Sequence, residues 1–158
     1  MPTAEPYPGD PALLPTPFTA EEIRAGCPEG RTIRLRVTEA DGSSYRRLTR
    51  YTSCDADGAT IESWRVDADG LPVGEVRKER STWLELQQHA AFPADRTTVE
   101  TGTVELAMGS YPCRIYTVGG PSGPRFWFAA AFPGMPVRYE IPTEGGTEVT
   151  ELIRDVTP

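Results

Sequence analysis

The run that decides the fold reads Leu106-Ala-Met-Gly-Ser-Tyr-Pro-Cys-Arg-Ile-Tyr-Thr-Val118, then Gly119-Gly-Pro-Ser-Gly-Pro124. It continues Arg125-Phe-Trp-Phe-Ala-Ala-Ala-Phe132, Pro133-Gly-Met-Pro136 and Val137-Arg-Tyr-Glu140. Three β-rich runs are cut by two Gly/Pro loops, the pattern of an antiparallel meander. Seven of the fourteen aromatic residues fall here: Tyr111, Tyr116, Phe126, Trp127, Phe128, Phe132 and Tyr139. Rings of that size dominate the burial energy of a core, so the meander is expected to be its centre.

On both sides of the meander the chain continues in strands. Upstream, Ile33, Leu35 and Val37 alternate with Arg34, Arg36 and Thr38, which predicts one buried and one wet face. Turn signals at Asp41-Gly42, Asp55-Ala-Asp-Gly58 and Asp67-Ala-Asp-Gly70 separate further strands over about 44–54, 59–66 and 71–78. The period then changes. Residues 81–91 read as a helix of about ten residues, opened by a Thr82/Glu85 capping box and ended by Phe92-Pro93. Strands resume at about 97–106, 111–118, 125–131, 136–141 and 147–154. A first short helix is expected after Thr19, which forms a capping box with Glu22, and Gly26 with Pro28 stops it.

These elements predict a mainly β protein. We expect a single curved antiparallel sheet, half-barrel-like, of about eight or nine strands, with two short helices packed on its concave side. Residues 18–158 form one β-rich domain, as 158 residues suit. Residues 1–17 hold Pro2, Pro6, Pro8, Pro11, Pro15 and Pro17 and are expected to be a flexible arm, since proline lacks the amide donor. A proline-rich ligand for a partner domain is the alternative.

Composition narrows the function. Net charge is −7, which disfavours general nucleic-acid or anionic-membrane binding. No run approaches the roughly 20 apolar residues of a membrane helix. Cys27, Cys54 and Cys113 are scattered and odd in number, which reads as reduced thiols. With no basic-then-apolar start to the chain, the expected location is cytoplasmic.

Within this frame Gly109-Ser-Tyr-Pro-Cys-Arg-Ile-Tyr116 is similar to the Gly-x-aromatic-x-Cys-x-x-Tyr strand opening of several bacterial β-sheet families. Those families are related in shape to the lipoprotein carriers LolA and LppX. The aromatic cluster Phe126-Trp127-Phe128-Ala129, a Pro-Gly turn and a further strand follow the same outline over about Thr97–Ile153. The resemblance implies a curved sheet wrapped around helices, a fold in which some members hold lipid. The signal peptide and lipidated cysteine of the lipoprotein members have no counterpart in this sequence, which argues against envelope transport.

The catalytic inventory is thin. His89 is the sole histidine, and no nucleophile signature surrounds Cys54 or Cys113. The Asp-Ala-Asp-Gly runs place Trp64 and Val76 where a calcium loop needs an acid, and one His with three scattered Cys does not make a zinc site. No catalytic residue, metal site or cofactor is expected. Two readings remain. In the first, the chain is a non-enzymatic binding module holding a small apolar or lipid-like ligand in the hollow of the sheet. Trp64, Trp83, Tyr116, Trp127, Phe128 and Tyr139 would line that hollow, with a few polar tips to orient the ligand. In the second, the same rings pack solid and the chain is a structural or protein-interaction subunit. A separate candidate is basic: residues 31–50 carry six arginines against Glu39 and Asp41. If the first two strands pair, Arg34, Arg36, Arg46 and Arg50 could form a ladder that docks an anion or an acidic partner. The plainer reading is a solvated face balanced by acidic strands.

Overall fold

The computed structural model describes residues 12–158. Nine antiparallel strands form one open sheet: β1 Thr32–Thr38, β2 Ser44–Cys54, β3 Gly58–Val66, β4 Pro72–Thr82, β5 Thr97–Leu106, β6 Gly109–Val118, β7 Arg125–Ala129, β8 Arg138–Thr143 and β9 Gly146–Val156. Two short helices accompany it, α1 Ala20–Gly26 and α2 Trp83–Gln88. The mainly β fold expected from the periodicity is the one observed.

Each half is a meander, β1–β4 and β5–β9. The strand order is β4-β3-β2-β1-β9-β8-β7-β6-β5. The halves are therefore joined through β1 and β9, the first and last strands. Leu35 pairs with Leu152 and Val37 with Thr150 across that seam. The β1 side chains Ile33, Leu35 and Val37 are buried on one face, as their alternation dictates. β5 approaches β9 although three strands lie between them in the order, so the second meander is strongly curled.

Both helices start where their sequences require. Thr19 and Thr82 each accept a hydrogen bond from the third helical amide, and Glu22 and Glu85 return the bond to the cap amides. α2 is shorter than the ten residues expected. The chain turns after His89 because Phe92 is drawn into the core, where its ring lies 5.2 Å from Tyr116 and 5.3 Å from Phe126. The helices are tied together by Gln87. Its Oε1 accepts from Ala20 N at 2.8 Å, and its Nε2 donates to Thr16 Oγ1 at 3.0 Å.

Of the expected arm, residues 12–17 are described. Leu14 N donates to Phe92 O and Ala94 N donates to Ala12 O, so this part runs against 92–94. Pro2, Pro6, Pro8 and Pro11 lie outside the described residues.

A buried charge fastens the ends of the domain. Arg31 is 1% exposed. Its Nε donates to both Asp155 oxygens, at 3.1 and 3.2 Å. Its Nη1 donates to Gly26 O at 3.0 Å and Pro133 O at 2.7 Å, and contacts Cys27 Sγ at 3.0 Å. One guanidinium thus joins the end of α1, the β7–β8 loop and β9. A buried charge is tolerated only when it is paired and hydrogen-bonded in this way. Burial lowers the arginine's affinity for its proton, but the Asp155 hydrogen bonds more than compensate. The neighbouring Cys27 thiol and Tyr51 hydroxyl are pushed up, chiefly by burial.

Candidate functional site

The β1–β2 register decides what the basic segment becomes. Arg36 stands directly opposite Arg46, Arg34 opposite Leu48, and Thr32 opposite Arg50. Directly opposed residues share a face, so Arg34, Arg36, Arg46 and Arg50 all project from the face opposite Ile33, Leu35 and Val37. On the other flank of β1, Arg154 of β9 stands opposite Arg34 and Glu151 opposite Arg36. The four arginines expected to form a ladder are therefore brought together, and Arg154 joins them.

What surrounds this ladder matters more than its count. Two carboxylates stand in register with the ladder, Glu151 opposite Arg36 and Glu62 opposite Arg50, and Glu151 is held by Arg138 at 3.2 Å. Arg138 also binds Glu140 at 2.9 Å. Arg50 donates to Thr32 Oγ1 at 3.1 Å and lies over the Trp64 ring, 5.4 Å from its centre. Among the described residues no salt bridge joins Arg34, Arg36, Arg46, Arg50 or Arg154 to a carboxylate. Arg34 Nε is buried and has no hydrogen-bond partner among the described residues. The stems of the ladder cover Leu48, which is 8% exposed.

The aromatic candidates are divided between the two faces. Trp64 is half-buried and opposes Leu48, so it belongs to the arginine face. Trp127 opposes Arg138, which opposes Glu151, and it projects from the same face of its half. The Arg138 and Arg125 guanidinium groups lie 5.3 and 5.7 Å from its ring centre. Tyr116, Phe128 and Tyr139 face the helices. Tyr116 packs edge-on to Phe128 at 5.4 Å, and Tyr139 stacks with Phe126 at 6.1 Å. Trp83 is buried at the start of α2, its Nε1 donating to Asp55 O at 2.8 Å.

The helix-bearing face also holds a hollow of about 640 Å³, between α2 and β2–β4. Its walls are Arg47, Thr49, Ser63, Arg77, Lys78 and His89, over Ile61 and Leu86. Its lining is charged and hydroxylated, and none of the six aromatics expected to line a hollow is among it. Periodicity did not single out these residues because β3 and β4 show no apolar alternation there. The missed signal was the row of Thr49, Ser63 and Arg77, polar residues at one register position of three neighbouring strands.

Burial pushes up the thiols of Cys27, Cys54 and Cys113. A thiol held protonated is a poor nucleophile.

No family model matches the chain, and no curated protein matches it in sequence. Solved structures share its fold. MucB in complex with MucA(peri) matches 87% of this chain at 14% identity and a TM-score of 0.55. The Pseudomonas aeruginosa MucA/MucB complex matches 86% at 14% identity and 0.53. The chain spans about half, 54%, of the MucB chain in each complex. An outer membrane lipoprotein-sorting protein domain from Vibrio parahaemolyticus also matches 87% of this chain, at 10% identity and a TM-score of 0.30. The expected cytoplasmic location is corrected. MucB, which shares this fold, is solved with MucA(peri), a periplasmic setting that overturns the cytoplasmic expectation. No helix among the described residues is long and apolar enough to cross a membrane.

Proposed function

We propose that this chain is a non-enzymatic protein-binding module that docks an acidic polypeptide segment on the arginine face of its sheet. The observation that carries this reading is the ladder Arg34, Arg36, Arg46, Arg50 and Arg154, set without salt-bridged carboxylates in a chain of net charge −7. Evolution of an acidic protein toward solubility has no need of such a cluster, and like charges directly opposed on a sheet are destabilising. The unpartnered Arg34 Nε supports the same reading, since a desolvated donor costs about 1–3 kcal/mol until an acceptor reaches it. The guanidinium fork suits carboxylates bidentately. That MucB, of similar fold, is solved bound to a polypeptide makes a docking role for such a sheet reasonable. The rival reading, a small apolar ligand in the hollow, finds less support, because the hollow's walls are polar.

Two labelled peptides test the proposal, one alternating Glu with Val and one alternating Lys with Val. The acidic peptide is expected to bind with an affinity that falls as salt rises, and binding is expected to disappear in the Arg36→Glu/Arg46→Glu double variant. Equal binding of both peptides, or an unchanged affinity in the double variant, overturns it.

A further inference from the structure

The hollow beside α2 lies on the opposite face from the ladder and is independent of it. We infer that it is a binding site for a phosphate group carried by a small organic molecule or a lipid. Thr49, Ser63 and Arg77 stand directly opposite one another on β2, β3 and β4. Opposed side chains on adjacent strands are about 5 Å apart, so two hydroxyls and a guanidinium lie in one row across the floor. Arg47 flanks this row on β2, two residues from Thr49 and on the same face. His89, which is exposed, also borders the hollow.

The charge of the lining selects the ligand. Arg47 and Arg77 face a single carboxylate, Glu79. Neither cation is in a salt bridge among the described residues. Nor is any hydrogen bond made by the Thr49 or Ser63 hydroxyls within the described structure, whereas Thr52 Oγ1 on the same strand is engaged with Thr60 O. The row is therefore a set of donors without acceptors. A carboxylate offers two oxygens, whereas a phosphate offers three strong acceptors and a charge near −2. Two cations and two hydroxyls are better matched by the second. The volume of about 640 Å³ exceeds what an inorganic ion fills and falls within the range of sites for small organic ligands. Ile61 and Leu86 provide the apolar floor against which the rest of such a molecule would lie.

Calorimetric titration of the full chain with inorganic phosphate, glycerol 3-phosphate and phosphatidylcholine vesicles containing phosphatidic acid tests the inference. Saturable binding of glycerol 3-phosphate is expected. Arg77→Gln should weaken it about tenfold or more, the loss expected for charge-assisted hydrogen bonds. The Arg77 side chain is exposed, so the variant keeps its fold. Arg36→Gln/Arg46→Gln, on the other face, should leave phosphate binding unchanged even if peptide docking is lost, which separates failure of one proposal from failure of the other. Binding confined to vesicles identifies the phosphate as a lipid headgroup, and binding of the soluble esters identifies a small metabolite. Absence of saturable binding in all three titrations, or equal weakening by Arg77→Gln and by the Arg36→Gln/Arg46→Gln variant, overturns the inference.

Discussion

Arg47 Nη2 donates a 3.1 Å hydrogen bond to Tyr139 Oη, joining β2 to β8 over the two strands that separate them. The register explains how they meet. Arg47 opposes Leu35, Tyr139 opposes Thr150, and Thr150 opposes Val37, so both side chains stand on the helix-bearing face within one residue pair of each other. The bond spans the seam between the two meanders and anchors one wall of the polar hollow. Tyr139→Phe removes the acceptor while keeping the ring that stacks on Phe126. A loss of about 1 kcal/mol is expected in urea unfolding. No loss would mean that the seam is held by β1–β9 pairing alone.

A larger effect is expected at the buried charge. Arg31→Met leaves the Asp155 carboxylate, whose side chain is 6% exposed, without its cation. Breaking a buried pair from one side costs about 3–5 kcal/mol. Arg31→Met/Asp155→Leu should recover part of that loss, because no uncompensated charge remains. The recovery is expected to be incomplete, since Gly26 O and Pro133 O also lose their donor. Equal stability of the single and double variants in urea would show that the ion pair itself is not what the native state depends on.

Much of this fold was legible because local rules and tertiary structure agree. The alternation Ile33, Leu35, Val37 and the turns at Asp41-Gly42, Asp55 and Gly70 place strands where they occur, and Gly42 and Gly70 do have positive φ. Both capping boxes form as spelled. The seam between β1 and β9 was not legible, because pairing between strands more than 100 residues apart leaves no local trace in one sequence. The same gap hid the site geometry. The arginines of 31–50 could be counted, but only the register shows that Arg34, Arg36, Arg46 and Arg50 share a face while Arg47 turns to the other. Residue type groups Trp64 and Trp127 with Tyr116, Phe128 and Tyr139, and strand parity separates them.

The turn at Asp55 predicts an acid-sensitive step. The Asp57 and Gly58 amides donate to its carboxylate at 2.9 and 3.0 Å, and Arg80 Nη2 approaches at 2.6 Å. These bonds, the backbone amides foremost, hold its pKa below the usual carboxylate range. A depressed folded pKa means that the contribution is present above the unfolded value, about 3.9, and is lost as pH falls through the folded value. The difference between wild type and Asp55→Asn in urea midpoint should therefore be constant near neutrality and shrink below about pH 4. A difference that does not change with pH would show that the carboxylate charge plays no part.

The two tryptophans of the arginine face should respond differently to truncation. Trp127 is 9% exposed and lies between Arg125, Arg138 and Ile115, its partner on β6. Trp127→Ala is expected to cost about 3–5 kcal/mol, the loss for a packed ring. Trp64 is only half-buried, and Trp64→Ala should cost much less. Thermal melts of both variants decide. A small shift for Trp127→Ala would mean that the ring borders open space, and would revive an apolar wall at that position.

Gly58 is a position where a single methyl group should do marked harm. It opens β3 opposite Thr82, the cap of α2. A Cβ there would lie 2.1 Å from Ser81 O and 2.7 Å from Thr82 Cα. Both are backbone atoms, so relief requires moving the end of β4 rather than turning a side chain. That movement would also pull on the 3.1 Å bond from Trp83 N to Asp57 O and the bond from its indole to Asp55 O. Gly42 provides the comparison. It has φ +90° and open space around its Cβ position, so Gly42→Ala carries only the left-handed penalty of about 1–2 kcal/mol. Gly58→Ala should cost more than Gly42→Ala and shift the Trp83 fluorescence, whereas Gly42→Ala should leave the fluorescence unchanged. Equal melting midpoints for the two variants would show that the β4–α2 junction can yield, and that the hollow it borders is not rigidly framed.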